Sequence, residues 1–434
     1  MQKGGKFWLI FLALAALLLV LTVACEEEGE EERTPTDTPA ATVTGTPAAV
    51  ETGTPTPVSE VPGITDTEII LGEHAVLSGM LSTFLAPIAE AEEAYFRYVN
   101  ETEGGVCGRK IVLKVEDNEY DEAKTVEVVR KLVEQDQVFA MVGNMGSPHA
   151  AAWDYLNEKG VPDLFISAGD HIFGVDPQGH PWSIQMIPDY RMEGALFGRY
   201  ISENLPGEKV AVLYPRTGLG LDGLAGVKDG LDTEKNQIVT EQSFEITDVD
   251  IRSQVIAMEN ANAEVVVLYS TGGFTAQAIK AADRMDWHPQ YFVSYPNSDD
   301  SIFQFVLPEL MKGTITFQAL KLASWTDDPA IAQHHELMRT YDGPTPANFT
   351  IYGQALAELT VEVLTRSCDN LSREGVMDAV LSLRDWHSDL LMEDVNVSFS
   401  DTDRTALQSG AMLQAIVENG KGKWEYLGAV VPLE

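Results

Sequence analysis

Two successive runs of short apolar strands, alternating with helical segments, constrain this chain more than any other feature. The first run spans 68–167 and the second spans 209–295. The strands are rich in β-branched residues, and amphipathic stretches with helical spacing separate them. Parallel strands need long crossover connections, which helices of this length supply. The sequence therefore predicts an α/β protein with two doubly wound lobes.

Composition excludes several classes of protein. The 434 residues include 67 acidic and 29 basic side chains, a formal net charge of −38 that repels nucleic acid. One long apolar run in a chain with a mean hydropathy of −0.07 excludes a multi-span membrane protein. Three cysteines are too few for a disulfide-stapled miniprotein or a multi-cysteine zinc module. We expect no metal, no cofactor and no nucleic-acid partner.

The N-terminus has the pattern of an export signal. Lys3 and Lys6 precede 18 uncharged residues, Phe7–Ala24, and Cys25 follows directly. A cysteine at this point resembles a bacterial lipoprotein signal, which implies removal of 1–24 and a lipid on Cys25. The alternative is an uncleaved membrane anchor. Both predict an extracytoplasmic body held at the cell membrane.

Residues 25–60 are predicted to form a disordered tether. Glutamates dominate its start, and repeated Thr-Pro pairs follow as far as Pro57. So few apolar side chains cannot offset the entropy of ordering the segment.

Ligands of open α/β sheets bind at the carboxyl ends of the strands, so we expect a site in the cleft between the lobes. The segments that follow the predicted strands supply the candidates. They are Ser78 and Gly79, 117–120, 143–147, 167–171, 214–220, 270–274 and 295–297.

These segments resemble the type I periplasmic binding proteins, specifically substrate-binding subunits of ABC transporters for branched-chain amino acids. The likeness spans about 64–434, and its most specific element is Asn100 followed by Gly104-Gly105-Val106-Cys107-Gly108-Arg109-Lys110. Other matching stretches are 77–79, 94–100, Val142-Gly143 with Ser147, 161–165, 353–357 and 371–374.

The resemblance implies two lobes joined by three crossovers, near Pro188, Phe317 and Leu390. Lobe 1 would comprise 64–187 and 318–390, and lobe 2 would comprise 188–317 and 391–434.

The family also implies which residues bind the ligand. Lobe-1 hydroxyls and backbone N–H groups hold its carboxylate, and an acidic group holds its ammonium. Ser147, read from the sequence as the N-cap of a helix over 148–159, either contacts the ligand or only caps that helix. Asp170 either takes the ammonium or caps the next segment. The predicted ligand-binding set is Ser78, Asn144, Gly146, Ser147, Ser167, Ala168, Gly169, Asp170, Leu219, Phe274, Tyr295 and Asn297.

Three departures from the family pattern affect the expected ligand. Tyr295 stands where amino-acid binders often have an acid, Leu219 replaces an aromatic, and Asp170 replaces a small residue. The pocket is therefore expected to prefer something other than leucine, isoleucine or valine: an aromatic acid, an amide or another small polar metabolite, within the wider class of amino acids and related carboxylates or amides.

Other motifs have simpler readings. Gly218–Gly223 spells GxGxxG, with Glu241 after it, but Pro215-Arg216-Thr217 separates it from its strand, and an exported chain lacks an assured nicotinamide supply. His334 and His335 lack zinc-site spacing and are predicted to lie on an exposed helix face. The acidic cluster 117–122 is read as a solvated turn that caps a helix. Cys107 and Cys368 either form a disulfide or remain two free thiols.

The sequence therefore predicts a lipid-anchored, extracytoplasmic solute-binding protein of an ABC importer. It would be a monomer without enzymatic activity that closes on a small-molecule ligand and delivers it to membrane permease subunits. The alternatives are a ligand sensor of the same fold and, less favoured, an exported NAD-dependent enzyme.

Overall fold

The computed structural model describes residues 61–79 and 81–433. The predicted signal peptide, Cys25 and the whole of the predicted tether lie outside these residues. Within them, no helix combines the length and the apolar character that crossing a membrane requires.

The first sheet is wholly parallel and has five strands among the described residues, in the order β2-β1-β3-β4-β5. Its central strands are buried on both faces, as crossover helices require. The strands are β1 (Glu68–Ala75), β2 (Lys110–Asp117), β3 (Ala140–Val142), β4 (Asp163–Ile166) and β5 (Ser183–Gln185).

The second sheet is mixed, with the order β12-β11-β10-β9-β8-β6-β7 and β13 paired to β11. Its parallel part contains the five strands from β6 to β10, and β11 runs antiparallel to β10, β12 and β13. The strands are β6 (Lys209–Pro215), β7 (Gln237–Phe244), β8 (Val265–Leu268), β9 (Gln290–Val293), β10 (Ile315–Gln318), β11 (Ser409–Glu418), β12 (Lys421–Tyr426) and β13 (Val431–Pro432).

Helices connect these strands and cover the sheets. They are α1 (Ser82–Thr102), α2 (Glu122–Arg130), α3 (Ala150–Glu158), α4 (Ile172–Val175), α5 (Tyr190–Asn204), α6 (Gly218–Gly230), α7 (Arg252–Asn260), α8 (Gly272–Asp283), α9 (Ile302–Phe305), α10 (Pro308–Met311), α11 (Pro329–Thr340), α12 (Asn348–Arg366) and α13 (Arg373–Leu381). The two doubly wound lobes predicted from the alternation are confirmed.

Several helices begin at an aspartate whose side chain accepts hydrogen bonds from the unpaired backbone N–H groups of the first turn. Asp121 accepts from Lys124 N, so the acidic cluster caps α2 as predicted. Asp189 caps α5 and Asp328 caps α11, where Pro329 occupies the first helical position.

The chain crosses between the sheets after β5 and after β10, close to the predicted crossings at Pro188 and Phe317. Beyond α13 it stays beside the first sheet, where Ala406 N donates to Gln185 O and Leu407 N to Met186 O. The chain then enters the second sheet at β11. The predicted lobe boundaries remain a prediction, and for the third crossing we propose a position near Gln408 instead of Leu390.

Cys107 and Cys368 are joined by a disulfide, with their Cα atoms 5.3 Å apart. Cys107 lies in the loop between α1 and β2, and Cys368 directly follows α12. The bond therefore fastens the end of α12 to the first sheet's α1–β2 connection.

Candidate functional site

A cavity lies between the two lobes, at the carboxyl ends of the strands and beside the segments that cross from one lobe to the other. We call it the inner cavity. Its volume is about 110 Å³. It is surrounded by residues of the first lobe, by the first two crossing segments and by loops of the second sheet. Its lining residues include Leu81, Leu85, Ile88, Tyr120, Met145, Gly146, Ser167, Ile187, Pro188, Tyr190, Leu219, Thr271, Tyr295, Asp299, Leu320, Asn348, Phe349, Tyr352 and Leu407.

Two further depressions adjoin the inner cavity through Tyr120. The outer cleft, of about 290 Å³, is lined among others by Ser78, Leu219, Thr271 and Phe274. The side cleft, of about 580 Å³, is lined among others by Ser147, Asp170, Gly218, Leu221 and Asp222. Each of the three spaces is lined by residues of both lobes. Together they make up the interface between the lobes.

Ser147 bonds to Asp170 instead of capping a helix. Gly146, at φ +80°, precedes a 3-10 turn at Ser147–His149, and α3 begins only at Ala150. Ser147 Oγ donates to Asp170 Oδ2 at 3.1 Å, and no side-chain cap bond forms at this turn. The predicted N-cap is therefore wrong, because the positive φ at Gly146 sets the turn and leaves the serine hydroxyl free to reach Asp170.

Asp170 is the most perturbed acid of the side cleft. Its side chain is buried, and this desolvation raises its pKa to about 7, against the lowering effect of the Ser147 hydroxyl. Only glycine fits at position 218 opposite, because a Cβ there would collide with the Asp170 carboxylate. Nearby, His171 N donates to Asp222 Oδ2 at 2.9 Å, which links the two lobes directly.

On the second lobe, Glu193 supports the loop that carries Tyr295. Its Oε1 accepts from Tyr295 N at 2.7 Å, and its buried Oε2 has no partner among the described residues. Burial raises the pKa of Glu193 to about 8. The rings of Tyr295 and Tyr190 stack at 5.6 Å, so both tyrosines have fixed positions on the cavity wall.

The predicted ligand-binding residues fall into two groups. Eight border one of the three spaces: Gly146, Ser167, Leu219 and Tyr295 the inner cavity, Ser78 and Phe274 the outer cleft, and Ser147 and Asp170 the side cleft. Four lie behind these walls.

The four residues behind the walls have structural partners. Asn144 is fully buried and donates to Asp163 Oδ1 at 2.7 Å. Asn297 donates to Ser270 O at 2.6 Å. The carbonyls of Ala168 and Gly169 accept from Gln185 Nε2 and Tyr190 N. The structure thus gives these residues roles in holding the loops, and their ligand contacts stay predictions.

Sequence reasoning missed three tyrosines that line the inner cavity. Tyr190 begins α5 directly after the first crossing, and Tyr352 lies on α12, which follows no strand of the first sheet. Tyr120 is in the segment after β2 but was read as part of a solvated turn. Tyr190 could have been predicted to line the cavity because it directly follows the first crossing between the lobes. No local sequence pattern predicts that Tyr352 lines the cavity.

A family model described as "Periplasmic binding protein" matches residues 69–421. This match covers most of the chain and agrees with the fold. The chain is a type I periplasmic binding protein.

One curated relative of this binding protein is the "Amino acid binding protein" of Pseudomonas aeruginosa. It is 25% identical over 66% of this chain and 78% of its own length.

Two solved structures have the same fold. The first is a fatty acid ABC transporter substrate-binding protein from Thermomonospora curvata, with a TM-score of 0.72 and 22% identity over 86% of this chain and 94% of its own. The second is a branched-chain amino acid ABC transporter from Thermus thermophilus with bound valine, with a TM-score of 0.75 and 17% identity over 85% and 97%.

The glycines of the GxGxxG segment have packing roles in this binding protein. A Cβ at Gly220 would collide with Pro215 O, and one at Gly223 would collide with the Tyr269 ring. Glu241, which would be the ribose acid of a dinucleotide site, pairs with Lys228 at 2.8 Å on the surface. Close packing therefore accounts for the segment without a dinucleotide.

The prediction for His334 is wrong. Its side chain is buried, with ring nitrogens 2.7 Å from Gln354 Oε1 and 2.8 Å from Thr350 Oγ1. Burial lowers the pKa of His334 to about 4. His334 shares the buried face of α11 with Ile331, Leu337 and Met338, and a polar residue on an otherwise apolar face carries no local signal of its burial. No group of three or more possible metal-binding side chains occurs within 61–79 and 81–433.

Proposed function

We propose that this chain is the solute-binding subunit of an ABC importer, held outside the cytoplasm by a lipid on Cys25. Membership of the periplasmic binding protein family supports the class, and the named ABC transporter proteins of the same fold favour transport over sensing. The relatives are binding proteins, which supports a role without bond chemistry.

The observation that carries this proposal is the inner cavity at the crossings. Ser167 and Tyr352 border it from the first lobe, while Leu219 and Tyr295 border it from the second. A ligand held by both lobes stabilises the closed form more than the open form, and this differential affinity drives closure. The closed form would then be presented to the permease.

Ligand-induced contraction tests the closing step. A thermal-shift screen of amino acids, aromatic acids, amides, polyamines and alcohols supplies a ligand, and small-angle scattering then measures the radius of gyration with and without it. We expect the radius to fall on binding. Leu219→Trp, which fills the cavity, should abolish both binding and contraction, whereas Leu307→Trp, on a side chain that is 69% exposed, should leave both intact. Binding without contraction would contradict the proposal.

Membrane attachment is tested separately. We expect Cys25→Ser to release the protein from the membrane fraction into the soluble extracytoplasmic fraction. A variant that stays in the membrane would indicate an uncleaved anchor.

A further inference from the structure

The inner cavity is largely apolar. Aliphatic and aromatic side chains form most of its wall, including Leu85, Ile88, Met145, Leu219, Leu320 and Phe349. Such a wall favours a hydrocarbon chain or ring, since each buried CH₂ contributes about 0.8 kcal/mol.

The one carboxylate among the described residues of the wall is already bonded to the backbone. This residue is Asp299, and both of its oxygens already accept backbone N–H groups. Ser301 N donates to Oδ1 at 2.8 Å, and Asn348 N, at the start of α12, donates to Oδ2 at 2.6 Å. Asp170, the acid predicted for this role, lies in the side cleft and is bonded to Ser147.

A ligand carboxylate also lacks a cationic partner, because no lysine, arginine or histidine is among the described residues that line the inner cavity. The chain's net charge of −38 adds long-range repulsion of anions. A carboxylate would have only hydroxyls and backbone N–H groups as partners, and an incompletely paired buried charge costs several kcal/mol, so a zwitterion and a carboxylate should bind less tightly here than an uncharged analogue.

The polar groups of the wall are mainly hydroxyls, which suit an uncharged partner. Burial raises the pKa of Tyr120 to about 12 and raises the pKa values of Tyr190, Tyr295 and Tyr352 well above the usual range, so these phenols remain neutral. Tyr352 and Ser167 bond to each other at 2.7 Å. The buried Tyr295 hydroxyl lies beside the Tyr190 phenol but makes no well-formed hydrogen bond in the described part of the chain, so it is available to a polar atom of the ligand.

We propose that the inner cavity binds an uncharged, mainly apolar molecule with a hydroxyl or carbonyl group that meets Tyr295. This inference rests on the proposed function and replaces the polar metabolite expected from the sequence. It also differs from an α-amino acid, whose ammonium would find only the already bonded Asp299 and whose carboxylate would find no cationic side chain on this wall.

Two matched series, titrated into the purified chain by calorimetry, test the ligand class. One consists of phenylalanine, 3-phenylpropanoate and 3-phenylpropan-1-ol, and the other of leucine, 4-methylpentanoate and 4-methylpentan-1-ol. Within each series the skeleton is constant and the charges are removed one at a time. We expect the alcohol of at least one series to bind at least tenfold tighter than both charged analogues.

Tyr295→Phe tests the assigned contact. Loss of one neutral hydrogen bond should weaken alcohol binding by about 3–10-fold. Tyr426→Phe, on an exposed ring of β12 away from the cavity, is the matched control and should bind like the unaltered protein.

The possible failures are distinguishable. Tighter binding of an amino acid or a carboxylate, or no binding by any of the six compounds, overturns the ligand class. If the amino acid binds and the radius of gyration falls, the proposed function stands while the ligand class fails. Binding of any compound without contraction counts against the proposed function itself.

Discussion

The two lobes differ in the side chains that fill their cores: the first buries a network of polar groups, and the second relies on apolar strands and close helix packing. In the first, a chain of polar side chains is buried between β1, β3, β4 and α3. Asn118 donates to His74 Nδ1 at 3.0 Å, His74 Nε2 lies 2.9 Å from His149 Nδ1, and His149 Nε2 lies 2.7 Å from Asp163. Each nitrogen finds a partner if both imidazoles are neutral, and burial indeed lowers the pKa of His74.

The first lobe also buries two acids without partners. Glu73 on β1 and Glu92 on α1 are fully buried and have no hydrogen bond within the described residues. Burial, reinforced by their mutual repulsion, raises the pKa of Glu73 well above its usual value, and burial does the same for Glu92.

The second lobe depends on apolar strands and close helix packing. β8 is a continuous run of buried valines and leucine, and glycines allow α5 and α6 to approach each other closely. Glu193 is a buried acid of this lobe and lies at the edge nearest the inner cavity. The comparison teaches that redox state and pH should act mainly on the first lobe, and changes of side-chain volume on the second.

Loss of the disulfide should have the largest effect and should act on the first lobe. Cys107 and Cys368 are 261 positions apart, so the bond closes a long loop of the unfolded chain. Replacing both with serine should lower the free energy of unfolding by about 2–4 kcal/mol in urea titrations. Reductant should lower the stability of the unaltered protein to the same level and leave the variant unchanged; a reductant-insensitive parent would contradict this.

Added volume at the helix contact tests the second lobe. A Cβ at Gly226 would collide with Arg191 O on α5, whereas one at Gly273 meets nothing within 4 Å. We expect Gly226→Ala to cost about 2–3 kcal/mol. Gly273→Ala should be neutral or slightly stabilising, and equal effects of the two would refute the packing argument.

The unpartnered acids of the first lobe, Glu73 and Glu92, predict a pH dependence of its stability. An acid whose pKa is raised on folding binds its proton more tightly in the folded state, so stability is lost as pH rises through the raised pKa. Glu92→Gln should therefore raise stability at pH 8, on the order of 1 kcal/mol, and change little at pH 4. The exposed Glu90→Gln is the control; a parallel shift at both pH values would show that ionisation is not the cause.

The smallest effect is expected at Glu241. Its pair with Lys228 is largely exposed, and such pairs contribute about 0–1 kcal/mol. Glu241→Gln should change the unfolding midpoint in urea only slightly. A large loss would show that the segment has a role beyond surface pairing.

Much of the fold could be predicted because short apolar runs indicate buried strands, and helical spacing of apolar residues indicates the helices between them. β6 begins at Lys209, where the second predicted run of strands begins, and β7, β8 and β9 all lie within that run, 209–295. β5 has only three residues, too few for a pattern, and the edge strand β12 alternates charged and aromatic residues.

The site was harder to predict than the fold. Position after a strand indicated Ser167 and Tyr295, and both line the inner cavity, since strand ends converge at one edge of a sheet. It did not distinguish a side chain that faces the cavity from one that holds the loop, as Asn144 and Asn297 do. Tyr352 reaches the cavity because α12 packs on α1 through long-range contacts, which no local pattern records.

A crystal structure of the chain with the tightest-binding alcohol of the two series tests the central claim most directly. The account predicts ligand density enclosed in the inner cavity, in contact with Ser167 and Tyr352 on one side and with Leu219 and Tyr295 on the other. Density found only in the outer or side cleft, or on a surface of one lobe alone, would contradict it.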